Sequence, residues 1–158
     1  VGGLQALLLR LPRPGGDRMR VELIRSKIEE ILESLKLVEE HLPEDFETFQ
    51  SLGLIKDGIY KRVEFAIQNV IDICAIINSD LKLGIPEKEE DVFEGLVRGG
   101  IISKGLAQKL RLMKGFRNVL VHRYGRINDE LAFEALREHL DDIYEFIETI
   151  EKFLEGQK

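Results

Sequence analysis

The sequence predicts an all-α protein, an antiparallel bundle of four long helices with one extra short helix. Apolar residues recur at helical spacing along most of the chain, and no segment alternates apolar and polar residues as a half-buried strand does. Prolines occur only at positions 12, 14, 43 and 86, which leaves room for long helices between them. A length of 158 residues is enough for one domain with its own hydrophobic core.

The first two long helices have the clearest patterns. Arg20 to Glu40 places apolar residues on one helical face, and Pro43 ends the segment. Leu54 to Leu83 is the longest apolar stretch and lies between Gly53 and Gly84. Because its apolar residues cover a wide face, we expect this helix at the centre of the bundle.

A short helix is predicted after the central one. Pro86 and the acidic run from Glu87 to Asp91 favour a helix start, since carboxylates stabilise the positive end of the helix dipole. Gly99 and Gly100 are typical of a helix C-terminus. We therefore expect a short helix between these two signals.

Two long helices complete the predicted bundle. Ser103 is a suitable N-cap for a helix that runs to about Tyr124, with Gly125 expected as its C-terminal cap. Asp129 opens the last helix. Its residues expected to face inward are Leu131, Phe133, Leu136, Leu140, Ile143, Phe146, Ile147, Ile150 and Leu154.

The N-terminal residues 1–18 are predicted to be a disordered tail or an extension before a true start at Met19, leaving residues 19–158 as the single domain. The apolar run from Leu4 to Leu11 is too short to span a bilayer and lacks the features of a secretory signal. Cys74 is the only cysteine, which excludes a disulfide framework and fits a reducing cytoplasm.

Charge is distributed unevenly along the chain. The net charge is -6, yet the window from Arg98 to Asn128 contains eight basic residues and no Asp or Glu. Such a segment is expected to meet a polyanion such as RNA, with Arg111, Lys114, Arg123 and Arg126 as the contacts. The alternative is that these residues pair with acidic helices of the same fold.

The most informative residues of this window are Arg117 and His122. On a helix, Arg117 falls in the middle of an apolar stripe, whose members are Leu106, Leu110, Met113, Leu120 and Tyr124. A guanidinium there requires a carboxylate, a phosphate or a partner chain. His122 lies roughly 140° away on a polar face that includes Asn118. Because His122 is four residues after Asn118, the amide is expected to orient the imidazole.

His122 also belongs to the last turn of this helix, where the helix dipole favours an imidazolium. Arg117 and His122 diverge on one helix, so a single chain does not aim both at one substrate. A two-fold dimer that packs these helices together would bring both pairs into a shared groove, and Gly115 would permit close approach. A lone Arg or His on a helix is more often an ion-paired or surface residue, and we assign His41 and His139 to that class.

Glu64, Gln68 and Asp72 recur at every fourth residue on the otherwise apolar central helix. They form one polar line, which is expected to face the helix that carries Arg117 and His122 and to pair with Arg117 or fix its rotamer. The alternative is an ordinary solvated stripe.

The segment from Met113 to Tyr124 resembles the Arg-x4-His-x-Tyr signature of HepT-like toxins in the HEPN superfamily. The resemblance covers most of the chain from about Val21 onward and implies a HEPN-like fold. It implies a homodimeric ribonuclease toxin of a type VII toxin–antitoxin pair, with catalytic Arg117 and His122. It also implies an MntA-like minimal nucleotidyltransferase partner that silences the toxin by adding AMP to Tyr124.

The corresponding hypothesis is a cytoplasmic, metal-independent endoribonuclease without a cofactor. His122 moves the proton of the RNA 2′-hydroxyl or of the leaving 5′-oxygen, and Arg117 stabilises the charge on phosphorus. One alternative is a non-catalytic subunit that binds nucleotide or nucleic acid beside a separate nucleotidyltransferase. Another is a purely structural dimeric bundle.

Overall fold

The computed structural model describes residues 19–84 and 90–157, and this part of the chain is helical without a strand. The helices described are α1 (Val21–His41), α2 (Phe46–Gln50), α3 (Leu54–Asp80), α4 (Glu90–Arg98), α5 (Lys104–His122) and α6 (Asp129–Glu155), with a 3-10 turn at Tyr124–Arg126. The predicted all-α class and its four long helices are confirmed. The proposed tail at 1–18 and the predicted helix start at 85–89 lie outside the described residues.

Helix α2 was not predicted because five residues are too few to show a helical period. Asp45 caps this helix by accepting a hydrogen bond from the backbone N–H of Thr48 at 3.0 Å. Phe49 lies in the core with its ring centroid 5.0 Å from that of Phe133 on α6. The short helix therefore closes one end of the bundle with aromatic side chains.

The start of α5 was predicted correctly, whereas its end was not. Ser103 caps the helix by accepting a hydrogen bond from the N–H of Leu106 at 3.0 Å. The helix ends at His122, and the N–H of Arg123 donates to the carbonyl of Val119 at 2.9 Å. Gly125 is not the cap, because the chain continues into the 3-10 turn with no positive-φ residue there.

Helix α3 is central, and its second half is buried on nearly all sides between α1, α4 and α5. On α6, Phe133 and Leu136 face the core as predicted. Leu131 does not, since its side chain is 62% exposed. The register that points Phe133 inward turns Leu131 roughly 160° away, onto the solvent side.

A buried ion pair joins the beginning of α1 to the end of α3. The Arg20 guanidinium lies 2.8 Å from the Asp80 carboxylate, and both side chains are almost fully buried. No helix in the described part of the chain is long and apolar enough to cross a membrane.

Candidate active site

Arg117 is the largest fully buried side chain of the described residues, at 1% exposure. It shares the inner face of α5 with Leu110, Met113 and Leu120, all of which are buried. This is the position in the apolar stripe that the helical spacing predicted. A guanidinium in such surroundings is stable only when opposite charge or hydrogen-bond acceptors compensate it.

Asp72 on α3 lies near Arg117 and interacts with it electrostatically. Its carboxylate is 0% exposed and accepts a hydrogen bond from Gln68 Nε2 at 2.9 Å. The ammonium of Lys27 on α1 lies 3.6 Å from the other carboxylate oxygen. Burial raises the pKa of Asp72, although Gln68, Lys27 and Arg117 oppose this shift. The three helices α1, α3 and α5 thus converge on a buried charge cluster.

Glu64 is the outer member of the predicted polar line, and its role differs from that of Asp72. It forms an ion pair with Lys61 at 2.7 Å. It also lines a cavity of about 240 Å³ together with Leu120 and Tyr124. Glu64 therefore faces the end of α5, but its ion-pair partner is Lys61 and not Arg117.

His122 is exposed and is the last residue of α5. Asn118 is half-buried one turn earlier, and these two described side chains form no hydrogen bond with each other. The expected orientation of the imidazole by Asn118 is therefore absent in this structure, because an exposed ring can satisfy its nitrogens with water. The buried Arg117 and the exposed His122 point in different directions, so one chain alone does not bring them together.

Tyr124 lies outside α5, in the 3-10 turn, and is 48% exposed. Its predicted place on the apolar stripe was wrong because the helix ends two residues earlier. The Asp57 carboxylate lies near its hydroxyl. Hydrogen bonding toward Asp57, together with burial and the charges of Asp57 and Asp129, raises the pKa of Tyr124 to about 12.

The residues of the basic window divide into two groups. Lys109 pairs with Glu145 at 2.7 Å and Arg111 pairs with Glu94 at 3.2 Å, as the alternative of internal pairing anticipated. Lys114 is half-buried. In contrast, Arg123 and Arg126 are exposed and form no ion pair within residues 19–84 and 90–157. Two exposed positive charges of the window, Arg123 and Arg126, therefore lie at the end of α5 beside His122, whereas the exposed Lys104 lies at its start.

The outer face of α5 carries apolar side chains that the single chain leaves exposed. Leu112 is 74% and Val119 is 38% exposed, and Phe116 between them is partly buried. A Cβ at Gly115 would contact nothing within 4 Å, so this stretch of backbone is open. Together these four residues form an outer α5 stripe, next to the helix edge that carries His122.

The described residues contain no group of three or more His, Cys, Asp or Glu side chains that could hold a metal ion. Cys74 is buried, and burial raises the pKa of its thiol far above the ordinary range. This thiol is therefore an unreactive core residue.

Asp57 is the residue near the candidate site that sequence reasoning missed. It lies in the first turn of α3, far from Tyr124 in the chain. An acidic residue in a first turn is so common that it gave no signal of a functional role. Only the packing of the start of α3 against the end of α5 brings the two together.

An all-helical bundle with an arginine buried in α5, a histidine at its end and a tyrosine just beyond has the architecture and the signature of a HEPN domain. The chain belongs to the Ribonuclease HepT-like family, whose profile matches residues 31–150. This confirms the resemblance noted in the sequence.

Individual relatives agree with the family. The mRNA nuclease HepT of Shewanella oneidensis is 29% identical over 129 residues, which cover 82% of this chain and 96% of that protein. A relative from Archaeoglobus fulgidus is 33% identical over 137 residues, covering 87% of this chain and 97% of that protein. The solved tri-AMPylated Shewanella oneidensis HEPN toxin, in complex with MNT antitoxin, superposes with a TM-score of 0.74 at 29% identity, covering 82% of this chain and 96% of that chain.

Proposed function

We propose that this chain is a metal-independent endoribonuclease and the toxin of a type VII toxin–antitoxin pair. The observation that carries the proposal is the end of α5, where the exposed His122 is flanked by Arg123 and Arg126. An accessible imidazole beside two available guanidinium groups can bind an RNA phosphate and move a proton at it. The family match and the mRNA nuclease relative support ribonuclease activity.

His122 acts on the protons of the reaction. As the base, it removes the proton of the RNA 2′-hydroxyl, whose oxygen then bonds to the adjacent phosphorus. The bond from phosphorus to the 5′-oxygen breaks, and that oxygen leaves with a proton from an imidazolium. The products are a 2′,3′-cyclic phosphate and a free 5′-hydroxyl. Because the nucleophile belongs to the RNA itself, the reaction needs no metal-activated water.

Arg117 is assigned to the negative charge that builds up on phosphorus. In the single chain its guanidinium is 1% exposed, so it does not reach a phosphate in this conformation. The proposal therefore requires the side chain to turn outward from Asp72 when the dimer or the RNA complex forms. Asp72 holds the guanidinium until then. Asn118 and Glu64 are assigned supporting roles on the two sides of the end of α5.

The active form is proposed to be a homodimer that covers the outer α5 stripe. Leu112 and Val119 are large apolar side chains that a second copy would remove from water. A two-fold axis at this stripe would place one His122 from each chain along a shared groove. RNA would lie in that groove against Arg123 and Arg126.

The partner is proposed to be an MntA-like minimal nucleotidyltransferase that transfers AMP to Tyr124. The solved HEPN toxin with a TM-score of 0.74 is itself AMPylated and bound to its MNT antitoxin. In this chain Tyr124 is half-exposed and lies two residues after His122. AMP at that position would add bulk and negative charge where RNA phosphates must bind.

The test is incubation of the unmodified protein with total cellular RNA in EDTA. We expect discrete fragments that end in 2′,3′-cyclic phosphate, and none from His122→Ala. His139→Ala is the matched control, since His139 is also exposed on a helix but pairs with Asp142. Absence of cleavage by the folded wild-type protein, with intact mass showing no modification, would refute the nuclease proposal.

The buried Arg117 favours a second candidate, a subunit that binds RNA or nucleotide without cutting it. The same assay separates the two candidates. RNA binding without cleavage in the wild type identifies the binding subunit. Cleavage that disappears in His122→Ala while RNA binding persists identifies the nuclease.

A further inference from the structure

A cavity of about 240 Å³ lies between the first half of α3 and the end of α5. Six residues from these two helices and the turn after α5 line it: Tyr60, Lys61, Glu64, Leu120, Val121 and Tyr124. Pockets for drug-sized ligands are larger, at about 300 to 1,000 Å³. The size of this cavity therefore suits one flat ring system rather than a longer molecule.

The walls of the cavity suit an aromatic ligand. Tyr60 is 2% exposed, and its hydroxyl donates to the Asp129 carboxylate at 2.6 Å, which holds the ring in place. Leu120 is buried and contributes an apolar wall, whereas Tyr124 is half-exposed on the solvent side. A tyrosine ring next to apolar side chains is a surface on which an unstacked base of single-stranded RNA can stack.

Glu64 brings a carboxylate to this cavity. Its side chain is 19% exposed, and one of its oxygens pairs with the Lys61 ammonium at 2.7 Å. The Lys61 side chain is itself 76% exposed, so a ligand can replace this ion pair at little cost. Gln68 and Asp72 bind each other at 2.9 Å, which leaves Glu64 as the member of the polar line that faces the cavity. A carboxylate repels phosphates but accepts hydrogen bonds from N–H groups on the edge of a base.

We propose that this cavity is a nucleobase-binding site and that Glu64 selects guanine in the RNA beside the cleaved bond. The Watson–Crick edge of guanine presents two neighbouring donors, N1–H and the 2-amino group, which match the two oxygens of a carboxylate. Adenine and cytosine present a donor next to an acceptor, and uracil presents one donor between two acceptors. Each of these three bases would bring an acceptor against Glu64. In the free protein, the Lys61 ammonium binds the carboxylate where the guanine donors would bind it.

The inference rests on the proposed function, because it requires an RNA phosphate at His122. Val121 and Tyr124, which line the cavity, lie on either side of His122 in the chain. Bases of a single strand turn away from the backbone and can enter a pocket beside it. Recognition of guanine in the cavity would therefore determine which bonds of the RNA are presented to His122.

The first experiment measures base preference. Sequencing of the fragment ends from total cellular RNA locates the cleaved bonds, and kcat/KM is then compared for four short oligoribonucleotides that differ only in the base beside that bond. We expect wild type to prefer guanine. Glu64→Gln keeps the size of the side chain but turns an NH₂ group toward the guanine donors. The preference for guanine over adenine should then fall roughly 10- to 100-fold, which is about the discrimination that one bidentate pair provides.

Lys61→Ala is the matched control, since it breaks the same ion pair but keeps the carboxylate. This variant should retain the preference for guanine. An equal loss of preference in Lys61→Ala would overturn the role of Glu64, because the ion pair would then shape the cavity without reading the base. Cleavage without a preference for guanine, or a preference that Glu64→Gln leaves unchanged, would overturn the base site but not the nuclease.

The second experiment does not depend on cleavage. Fluorescence anisotropy measures binding of His122→Ala to oligouridine that contains a single guanine or a single adenine, with and without Glu64→Gln. We expect tighter binding of the guanine oligonucleotide only when Glu64 is present, and equal affinities would overturn the base site. Guanine-dependent binding without any cleavage by wild type would support the base site and refute the nuclease. Circular dichroism of each variant verifies that it is folded.

Discussion

The Asp72 carboxylate and the Arg117 guanidinium interact in the interior between α3 and α5, and both side chains are almost completely buried. Burial raises the pKa of Asp72 even with Lys27 and Arg117 nearby, so the fold disfavours this carboxylate charge. Because burial of this carboxylate charge lowers the free energy of unfolding, we infer that Asp72 serves to hold Arg117 rather than to stabilise the fold.

Replacement of Asp72 by Asn should therefore separate stability from activity. A raised folded pKa means that the folded state holds the proton more tightly than the unfolded chain does. The contribution of Asp72 to stability is then largest below about pH 4, its unfolded pKa, and is lost as pH rises through the folded pKa. We expect Asp72→Asn to match or exceed the wild-type free energy of unfolding at neutral pH. This difference in the free energy of unfolding between Asp72→Asn and wild type should disappear below about pH 4.

The same variant should lose RNA cleavage by roughly tenfold, a loss that corresponds to about 1.4 kcal/mol of transition-state stabilisation. Urea unfolding and the cleavage assay measure the two effects, with the exposed Asp141→Asn as control. A less stable Asp72→Asn protein at neutral pH would show that the buried charge stabilises the fold after all.

The helical pattern of the sequence was sufficient to predict the bundle and the inward position of Arg117. Each long helix buries a stripe that repeats with the helical period, and such a stripe is visible in the sequence. The end of α5 was not predictable in the same way, because the hydrogen bond from Arg123 to Val119 and the 3-10 turn depend on tertiary packing. Because α5 ends at His122, Tyr124 lies at the surface and not on the predicted apolar stripe.

Affinity for RNA should depend on the arginines beside His122. Arg123 and Arg126 are exposed, and each is expected to neutralise one phosphate. In a His122→Ala background that cannot cut, Arg123→Ala and Arg126→Ala should each reduce the salt dependence of binding, by a slope of about 0.7 in log K against log salt. Fluorescence anisotropy with single-stranded RNA at several salt concentrations measures this slope.

Lys109→Ala is the control for these arginines. Lys109 lies in the same basic window but already pairs with Glu145 at 2.7 Å. Its removal should leave the slope almost unchanged. An equal effect of all three substitutions would mean that RNA senses the net charge of the chain rather than a site at the end of α5.

The proposed dimer depends on the outer α5 stripe. Leu112→Glu places a charge where a second copy would bury an apolar side chain, so we expect dissociation into monomers. Light scattering coupled to size exclusion measures the mass, and the cleavage assay should show loss of activity in the monomer. Leu54→Glu is the control, because Leu54 is 86% exposed but lies at the start of α3. An active Leu112→Glu monomer would remove the need for a shared groove.

The chemistry-bearing residues of α5 were predictable from the sequence, and of their neighbours on α3 Asp72 was predicted whereas Asp57 was not. The register of an antiparallel pair places early residues of one helix beside late residues of the other. Asp57 near Tyr124 follows from that register. Asp72 near Arg117 is a second contact between the same two helices. The line of Glu64, Gln68 and Asp72 was visible because polar residues interrupt an apolar helix. Asp57 was not visible, since it lies in a helix turn where acidic residues are ordinary.

Tyr124→Phe should make the toxin resistant to silencing by AMP transfer from its partner. Phe keeps the ring in the 3-10 turn but has no oxygen to accept AMP, so the variant should still cut RNA and should resist silencing by the nucleotidyltransferase. Tyr144→Phe is the matched control. Tyr144 donates to the Glu39 carboxylate at 2.6 Å, and burial with that bond raises its pKa to about 12, as for Tyr124.

The comparison of the two tyrosines tests whether position determines modification. Tyr144 lies on α6 and not in the turn after α5, so loss of its hydroxyl should leave both AMP transfer and silencing intact. Intact mass and residual cleavage after treatment with the partner and ATP measure the outcome. Silencing of Tyr124→Phe to the wild-type extent would place the modification elsewhere, or would show that the partner inhibits by binding alone.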